Sequence, residues 1–323
     1  MTTTNEAPIL GVDIGGTKVA FGLVDREGKI LTQGRRPMVA HGTEDAAFQA
    51  VVDAIDSLST TAGEGFRSIG ICAPGPLDPK TGIIFNPPNL PCWRDFPLAE
   101  KIRNKYNLPV KVDNDANAAA LAEYRWGAAR GYHYVFYATI GTGIGAGIVL
   151  DGHIYHGKTG SAAEGGHQSI DYRGPICGCG KHGCIEILAA GPAIGARARA
   201  KFAGGSRHST MLDLADGNVA AVTSEMVGKA YAAGDPLARE VLAETVELLT
   251  AWLGNVVDML DPDVLVMGGG VAAMLKPFFD DIRNRLPSWC VNPHVTDIPL
   301  LMAHYGADAG IAGGAALCSD ELA

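Results

Sequence analysis

The sequence predicts an α/β protein made of two similar halves with a cleft between them, and three observations predict it. First, two stretches repeat one plan. Residues 9–31, ILGVDIGGTKVAFGLVDREGKIL, read as apolar strand, glycine turn, apolar strand, acidic-glycine turn and strand, and residues 135–155, VFYATIGTGIGAGIVLDGHIY, read the same way. Second, each of these hairpins opens one half of the chain. Third, the 42 glycines cluster at the ends of apolar runs, which suits phosphate-binding turns better than flexible linkers. A dinucleotide-type crossover is disfavoured, because it needs a helix directly after its glycines. Here strand-like Val19, Ala20 and Phe21, and Ile148, Val149 and Leu150, follow instead.

The remaining elements follow in order. Glu44–Ser59 has helical periodicity, and Ser68–Ala73 is a short apolar run expected as a buried strand ending in the turn PGPLD. NPPNLPCW, residues 86–93, reads as a proline-stiffened loop. Val110–Val112 is a further strand, leading into the Ala-rich DNDANAAALAEYRWG. Pro192–Phe202 and Ser224–Ala233 are expected helices, and Pro236–Leu260 a long one that stops at the turn DPDV. Val264–Met267 is a buried strand running into Gly268, Gly269 and Gly270. Ala307–Cys318, rich in alanine and glycine, is expected as a close-packed final helix.

Composition narrows the function classes. A chain of 323 residues, 47% of them hydrophobic, is long enough for two domains or one large one with a substantial core. No run of eighteen apolar residues occurs, and MTTTNEAPIL lacks a basic region followed by an apolar core, so neither a membrane span nor a secretory signal is expected. Seven cysteines, an odd number, suit a reducing cytoplasm. The net charge of −9 disfavours a nucleic-acid surface but leaves room for an anionic substrate at a local site.

Residues 167–186, HQSIDYRGPICGCGKHGCIE, place Cys177, Cys179 and Cys184 close together behind His167. Three thiolates and one imidazole are the usual complement of a closed zinc site, and glycines let a short loop bring them together. The C-x-C-x4-C spacing is not that of paired finger knuckles. With no ligand position left open, the expectation is structural zinc; the alternative is reduced, packed cysteines.

Two further motifs carry chemistry. In DIGGTK, Asp13 to Lys18, backbone amides at Gly15 and Gly16 can approach phosphate oxygens, while Thr17 adds a hydroxyl, Lys18 a charge, and Asp13 a carboxylate able to reach hydrated magnesium. The turn from Gly141 to Gly145, containing Thr142 and Gly143, offers the same from the other half; an ordinary hairpin turn is the alternative for either alone. In DNDANAAALAE, Asp115 lies where a strand gives way to a helix. It suits an N-cap, but Asp113 and Asn114 suit that role equally, so one polar residue is surplus to capping.

These residues resemble the ROK family of sugar kinases, within the actin-like ATPase superfamily, over essentially the whole chain. DIGGTK is similar to that family's first phosphate motif, IGTGIGAG to its second, MGGGV to its adenosine motif, and CGCG with GCIE to its zinc signature. The resemblance implies a two-domain α/β actin-like ATPase (ribonuclease H-like) fold with an interdomain cleft. Residues 1–119 with 306–323 would form the smaller domain, and residues 120–305 the larger one with the zinc loop. It implies ATP- and Mg2+-dependent phosphorylation of a hexose at its 6-hydroxyl, with glucose the leading acceptor. Asp115 would be the catalytic base. Gly75, Asn89, Asn114, Glu164, His167 and Glu186 would hold the sugar, with Glu164 and Glu186 as solvated loop charges the plain alternative. Asp13, Gly15, Gly16, Thr17, Lys18, Thr142, Gly143, Gly268 and Gly269 would hold the nucleotide. His167, Cys177, Cys179 and Cys184 would bind structural Zn2+, with the other ring nitrogen of His167 turned to the sugar. A cytoplasmic homodimer without nucleic-acid or membrane partners is implied as well.

One departure is visible: many relatives read G-E-x-G-H, where this chain has Ala163-Glu164-Gly165-Gly166-His167. That bears on which sugar fits. Fructose, mannose or an N-acetylhexosamine remain alternative acceptors, and polyphosphate an alternative donor. A sugar-sensing regulator is a remote alternative, since such proteins carry a helix-turn-helix domain ahead of the core and only a dozen residues precede DIGGTK. His153, His156, Trp93 and Trp126 read as packing or surface residues.

Overall fold

The computed structural model describes residues 7–59, 65–203 and 208–319. In chain order the strands and helices of the first part are β1 (Ile9–Ile14), β2 (Lys18–Val24), β3 (Ile30–Pro37), α1 (Glu44–Ser59), β4 (Ile69–Ala73), β5 (Leu77–Asp78), β6 (Ile83–Ile84), β7 (Phe96–Pro97), α2 (Leu98–Tyr106), β8 (Val110–Asn114) and α3 (Asp115–Arg125). There follow β9 (Tyr134–Ile140), β10 (Ile144–Leu150), β11 (His153–Ile154), α4 (Ile185–Ala189), α5 (Gly191–Phe202), α6 (Thr210–Leu214), α7 (Ser224–Ala232) and α8 (Pro236–Leu260). The chain ends with β12 (Val264–Gly268), α9 (Gly269–Leu275), α10 (Phe279–Arg285), β13 (Leu300–Met302) and α11 (Ala309–Leu317).

Two five-stranded sheets share one topology. The first runs β3-β2-β1-β4-β8 and the second β11-β10-β9-β12-β13. In the first, β1, β2 and β3 form an antiparallel meander, and β4 and β8 add in parallel. In the second, β10 and β11 pair antiparallel, while β12 pairs in parallel with β9 and β13. The two glycine turns expected from the sequence join β1 to β2 and β9 to β10. A third, small sheet, β5-β6-β7, lies within residues 77–97; its two-residue strands are too short to show a period in sequence.

The chain falls into two compact units. The first gathers the described residues up to His133, with Gly147–Ala163 and those from His304 onward; the second holds Tyr134–Ala146 and Glu164–Ala303. In the first unit, α1 buries Val51, Ala54 and Ile55 against Leu10, Val12, Ile69 and Ile71, and Trp93 stacks on Phe96 at 4.6 Å between ring centroids. Each fully buried side chain of this size contributes about 1.5–3 kcal/mol. On the other face of the sheet α11 packs with Ile311, Ala315 and Cys318 against Ile9, Ala20 and Val24. Its approach is backbone to backbone: a Cβ at Gly11 would strike the Ile311 carbonyl, and one at Gly70 the Gly314 carbonyl. The Ala/Gly-rich tail is therefore a helix chosen for closeness, not for bulk.

In the second unit α8 is the central helix. Asp235 caps it by accepting from the Ala238 amide at 2.9 Å, Pro236 opens it, and Asp261 closes it in the left-handed conformation (φ 47°). Its face of Val241, Leu242, Val246, Leu249, Trp252 and Leu253 is buried. No helix among the described residues is long and apolar enough to cross a membrane.

Candidate active site

Asn114 and Asp115 lie where β8 passes into α3. Asn114 is extended (φ −63°, ψ 148°), and its Oδ1 accepts from the amides of Ala116 at 2.9 Å and Asn117 at 3.4 Å. The cap that sequence left open among three residues therefore falls to Asn114. Asp115 opens the helix with its own Oδ1 on the Ala116 amide at 2.8 Å and remains exposed to solvent. The protein crowding the rest of its surroundings raises its proton affinity, while the Ala116 amide and the Asn114 side chain pull the other way.

Two more carboxylates stand nearby. Asp113, buried, accepts from the Asn114 amide at 2.7 Å and from Asn117 Nδ2 at 3.2 Å through Oδ1, and its Oδ2 lies 2.6 Å from His156 Nε2. Asp13, half-buried at the end of β1, is pushed up to about 6 by burial and by Asp115, against the opposing pull of Lys18 and Arg35. The Cys72 thiol is pushed well above its ordinary range by burial and by Asp13, Asp115 and Asp113. Three carboxylates thus converge on one part of the first unit; protein donors engage both oxygens of Asp113, and Asp13 and Asp115 are the two suited to a divalent cation and to sugar hydroxyls.

The first glycine turn is closed by the Gly15 amide donating to the Lys18 carbonyl at 2.9 Å. A Cβ at Gly16 would sit 2.7 Å from the Asn89 carbonyl, so the Asn89 loop lies directly on the turn. That loop, expected to be stiffened by its prolines, also closes its own turns. Leu90 and Trp93 close successive turns by donating to the Pro87 and Leu90 carbonyls, each at 3.0 Å, and Trp93 Nε1 reaches the Glu44 carbonyl at 3.3 Å. Asn89 itself is exposed, as are Thr17 and Lys18. Gly75 faces the Asn114 side chain, where a Cβ would be 3.8 Å from Nδ2. The first unit therefore brings Asp13, Gly75, Asn114 and Asp115 together, with Gly16 and Asn89 paired a short step along the chain.

In the second unit the Gly141 amide donates to the Gly143 carbonyl at 2.9 Å, closing the second turn. Glu186 braces it: Oε2 accepts from the Ile144 amide at 2.9 Å, and a Cβ at Gly143 would fall 2.6 Å from that oxygen. The other carboxylate oxygen of Glu186 lies 3.9 Å from His167 Nδ1. Glu164 is exposed, and its carbonyl accepts from the His167 amide at 3.1 Å. Just before it, Ala163 holds φ +64°, a conformation that costs an alanine about 1–2 kcal/mol and a glycine far less. The departure noted in the sequence is thus a strained residue at the entry to this loop.

His167, Cys177, Cys179 and Cys184 place their ligand atoms within 4.8 Å of one another. Cys177 Sγ lies 3.7 Å from His167 Nδ1, and Cys179 Sγ 3.6 Å from Cys184 Sγ. Ligands at about 2.3 Å from a tetrahedral ion stand roughly 3.8 Å apart, so the donor set fits zinc. As thiols, burial and the neighbouring sulfurs push Cys184 up to about 12, whereas the Lys181 amide lowers exposed Cys179. A bound divalent ion would hold both as thiolates.

A cavity of about 1040 Å³ opens in the second unit. Gly141, Thr142 and Gly270 line it, together with N-terminal residues of α5 (Gly191, Pro192) and α7 (Ser224, Glu225). Helix N-termini present unpaired amides and a favourable dipole to an anion. Much of the remaining wall is apolar, with Val271, Ala273, Met274 and Pro277, while Arg199, Lys229 and Tyr231 add polar groups. Arg199 is fixed by donating to the Val222 carbonyl at 2.7 Å. Within the MGGG run, Gly270 is the residue that lines the cavity. Gly268 packs against Tyr137 and Ala303, and Gly269, at φ +88°, against the Ile140 carbonyl. The contributions of α5 and α7 were missed from sequence, because Gly-Pro and Thr-Ser helix starts are too common to single out a site.

The geometry agrees with the comparisons. The ROK family model matches residues 9–321. A glucokinase from Streptomyces coelicolor is 34% identical over 315 residues, covering 96% of this chain and 97% of its own. An N-acetylmannosamine kinase from Citrobacter koseri is 33% identical over 313 residues, covering 97% and 99%. The crystal structure of a ROK family glucokinase from Streptomyces griseus, in complex with glucose and AMPPNP, matches with a TM-score of 0.82 at 35% identity over 96% of this chain and 98% of that one. The two-domain α/β actin-like ATPase fold expected from the motifs is therefore the fold observed, and the chain belongs to the ROK family.

Proposed function

We propose that this chain is an ATP-dependent sugar kinase that phosphorylates a hexose at the 6-hydroxyl, with glucose the preferred acceptor. The observation that carries the reading is Asp115: a solvent-reached carboxylate of raised proton affinity, freed from capping by Asn114 and seated beside Asp13. Such a group can orient an attacking hydroxyl and accept its proton as the phosphoryl group transfers. Gly75, Asn89, Asn114, Glu164, His167 and Glu186 are the proposed sugar contacts, since amides, carboxylates and imidazole together match hydroxyls that both donate and accept. Gly15 to Lys18 and Thr142 to Gly143 are the proposed phosphate turns, with the adenosine in the cavity of the second unit. Its apolar wall favours a nucleoside over polyphosphate, which would need a continuous cationic track.

Asp13 is the residue that would hold hydrated magnesium, and magnesium, when bound, neutralises charge on the phosphates. His167, Cys177, Cys179 and Cys184 would hold zinc, which orders the loop carrying His167 and Glu186. The reading includes a cytoplasmic homodimer. A second acceptor, N-acetylmannosamine, is favoured by the 33% identity to the Citrobacter koseri kinase.

The test is a coupled ADP-release assay with Mg-ATP across glucose, mannose, fructose, N-acetylglucosamine and N-acetylmannosamine. Glucose is expected well ahead. N-acetylmannosamine ahead would keep the kinase and overturn the substrate; no turnover with any sugar would overturn the kinase. Asp115→Ala is expected to lower kcat by about 10²–10⁴ while sugar binding persists. Near-normal turnover would remove Asp115 as the base.

A further inference from the structure

We propose that His156 is a positioning residue for the acceptor site, acting through Asp113 on the backbone that presents Asn114 and Asp115. The inference rests on the kinase reading above, in which Asp115 is the base. The sequence marks His156 only as a packing or surface histidine, yet its Nε2 lies 2.6 Å from Asp113 Oδ2, the shortest side-chain link to that buried carboxylate. A carboxylate only accepts, so Nε2 carries the proton in this bond.

The other oxygen of Asp113 takes two donors, the Asn114 amide at 2.7 Å and Asn117 Nδ2 at 3.2 Å. The carboxylate is therefore fixed at both ends, by the imidazole on one side and by the β8–α3 junction on the other. Asn117 depends on the same bond, because its Oδ1 is buried without a partner. Among the described residues, the donation to Asp113 is the hydrogen bond that orients this side-chain amide. Rotating the Asp113 carboxylate would release the Asn114 amide and the Asn117 side chain together, at the helix start whose cap is Asn114 and whose first residue is Asp115.

His156 also closes a loop. Its carbonyl accepts from the Ala162 amide at 3.1 Å, and within the loop Gly160 lies against Pro79, where a Cβ would be 3.0 Å from Cδ. The chain then runs on to Glu164 and His167. His156 thus ties the segment leading to Glu164, through its carbonyl, to the β8–α3 junction that presents Asp115, through its imidazole. The charge balance agrees: Asp13, Asp113 and Asp115 act together on Cys72, and an imidazole donor is placed behind the middle carboxylate. Misplacing a reacting group by a fraction of an ångström is costly in rate even where binding survives.

The experiment is steady-state kinetics on His156→Ala, His156→Gln, Asp113→Asn and the His156→Ala/Asp113→Asn double variant, with thermal unfolding of each. Glutamine places an N–H donor the same number of bonds from the backbone as Nε2. His156→Ala is expected to lower kcat about 10- to 100-fold with the KM for ATP within about twofold, and His156→Gln to recover kcat to within about threefold of the parent. The double variant should be little worse than the worse single one, since both remove one link. Unchanged kcat in His156→Ala, no recovery in His156→Gln, or fully multiplicative losses in the double variant would each overturn the proposal. A general structural role would instead lower the unfolding temperature and disturb ATP KM with kcat. A parent protein with no turnover would overturn the kinase reading itself, whereas an active parent, a dead Asp115→Ala and a normal His156→Ala would overturn only this inference.

Discussion

At the residue scale, the burial of Asp13 costs stability once its carboxylate is charged. Asp13 carries a proton up to about pH 6 in the folded protein, whereas an unfolded aspartate loses it near 3.9. Between those values the native state binds more protons than the unfolded one, so stability falls as pH rises from about 4 to 6 and is level above. At neutral pH the charged side chain is therefore a net cost. Asp13→Asn should make the protein more stable than its parent by about 1–3 kcal/mol at pH 7, with the gap closing near pH 3.5, while the reaction that needs this carboxylate is lost. Urea unfolding at the two pH values checks it, and a variant less stable than the parent at pH 7 would contradict the assignment of Asp13 as a strained acid.

At the element scale, the glycine turns and the DNDAN junction were legible because each is local: a turn's chemistry and a helix start are written in consecutive residues. Which polar residue capped α3 was not legible, since Asp113, Asn114 and Asp115 are chemically able to cap and only the backbone angles separate them. His156 was not legible either, because its partner lies 43 residues away. The cysteine segment proposed to bind zinc shows how a legible motif can hide its use. Cys184 precedes α4, and two residues on, Glu186 braces the second glycine turn through the Ile144 amide. If the proposed zinc is bound here, its removal should loosen a turn that holds no metal ligand. Chelation is expected to weaken nucleotide binding about tenfold, and Glu186→Gln about fivefold with metal content unchanged, because a neutral acceptor loses roughly 1 kcal/mol relative to a charged one. Calorimetric titration with a non-hydrolysable ATP analogue measures both, and full affinity after chelation would show that the brace stands without the metal.

At the scale of the whole molecule, the duplicated plan was visible in the two hairpins, and it holds in the topology: each five-stranded sheet begins from its hairpin and ends on parallel strands. What sequence does not carry is the grouping of Gly147–Ala163 with the first unit, which comes from packing between residues distant in the chain. Gly147 lies so close to α3 that a Cβ there would be 2.6 Å from the Ala116 carbonyl. The proposed nucleotide and sugar contacts fall largely on different segments of the chain, so the two ligands should protect different amides. A ligand at 100 times its Kd stabilises the state it binds by about 2.7 kcal/mol, roughly a 100-fold slowing of exchange through openings that release it. A non-hydrolysable ATP analogue should slow amides at 141–143, 191–195 and 223–228, the two helix starts and the turn that line the cavity. Glucose alone should instead slow those at 86–90, 113–117 and 164–167. Hydrogen exchange with each ligand separately reads this directly. An analogue that protects 113–117 and leaves 191–195 and 223–228 unchanged would move the nucleotide out of the cavity, and with it the assignment of Gly270, α5 and α7.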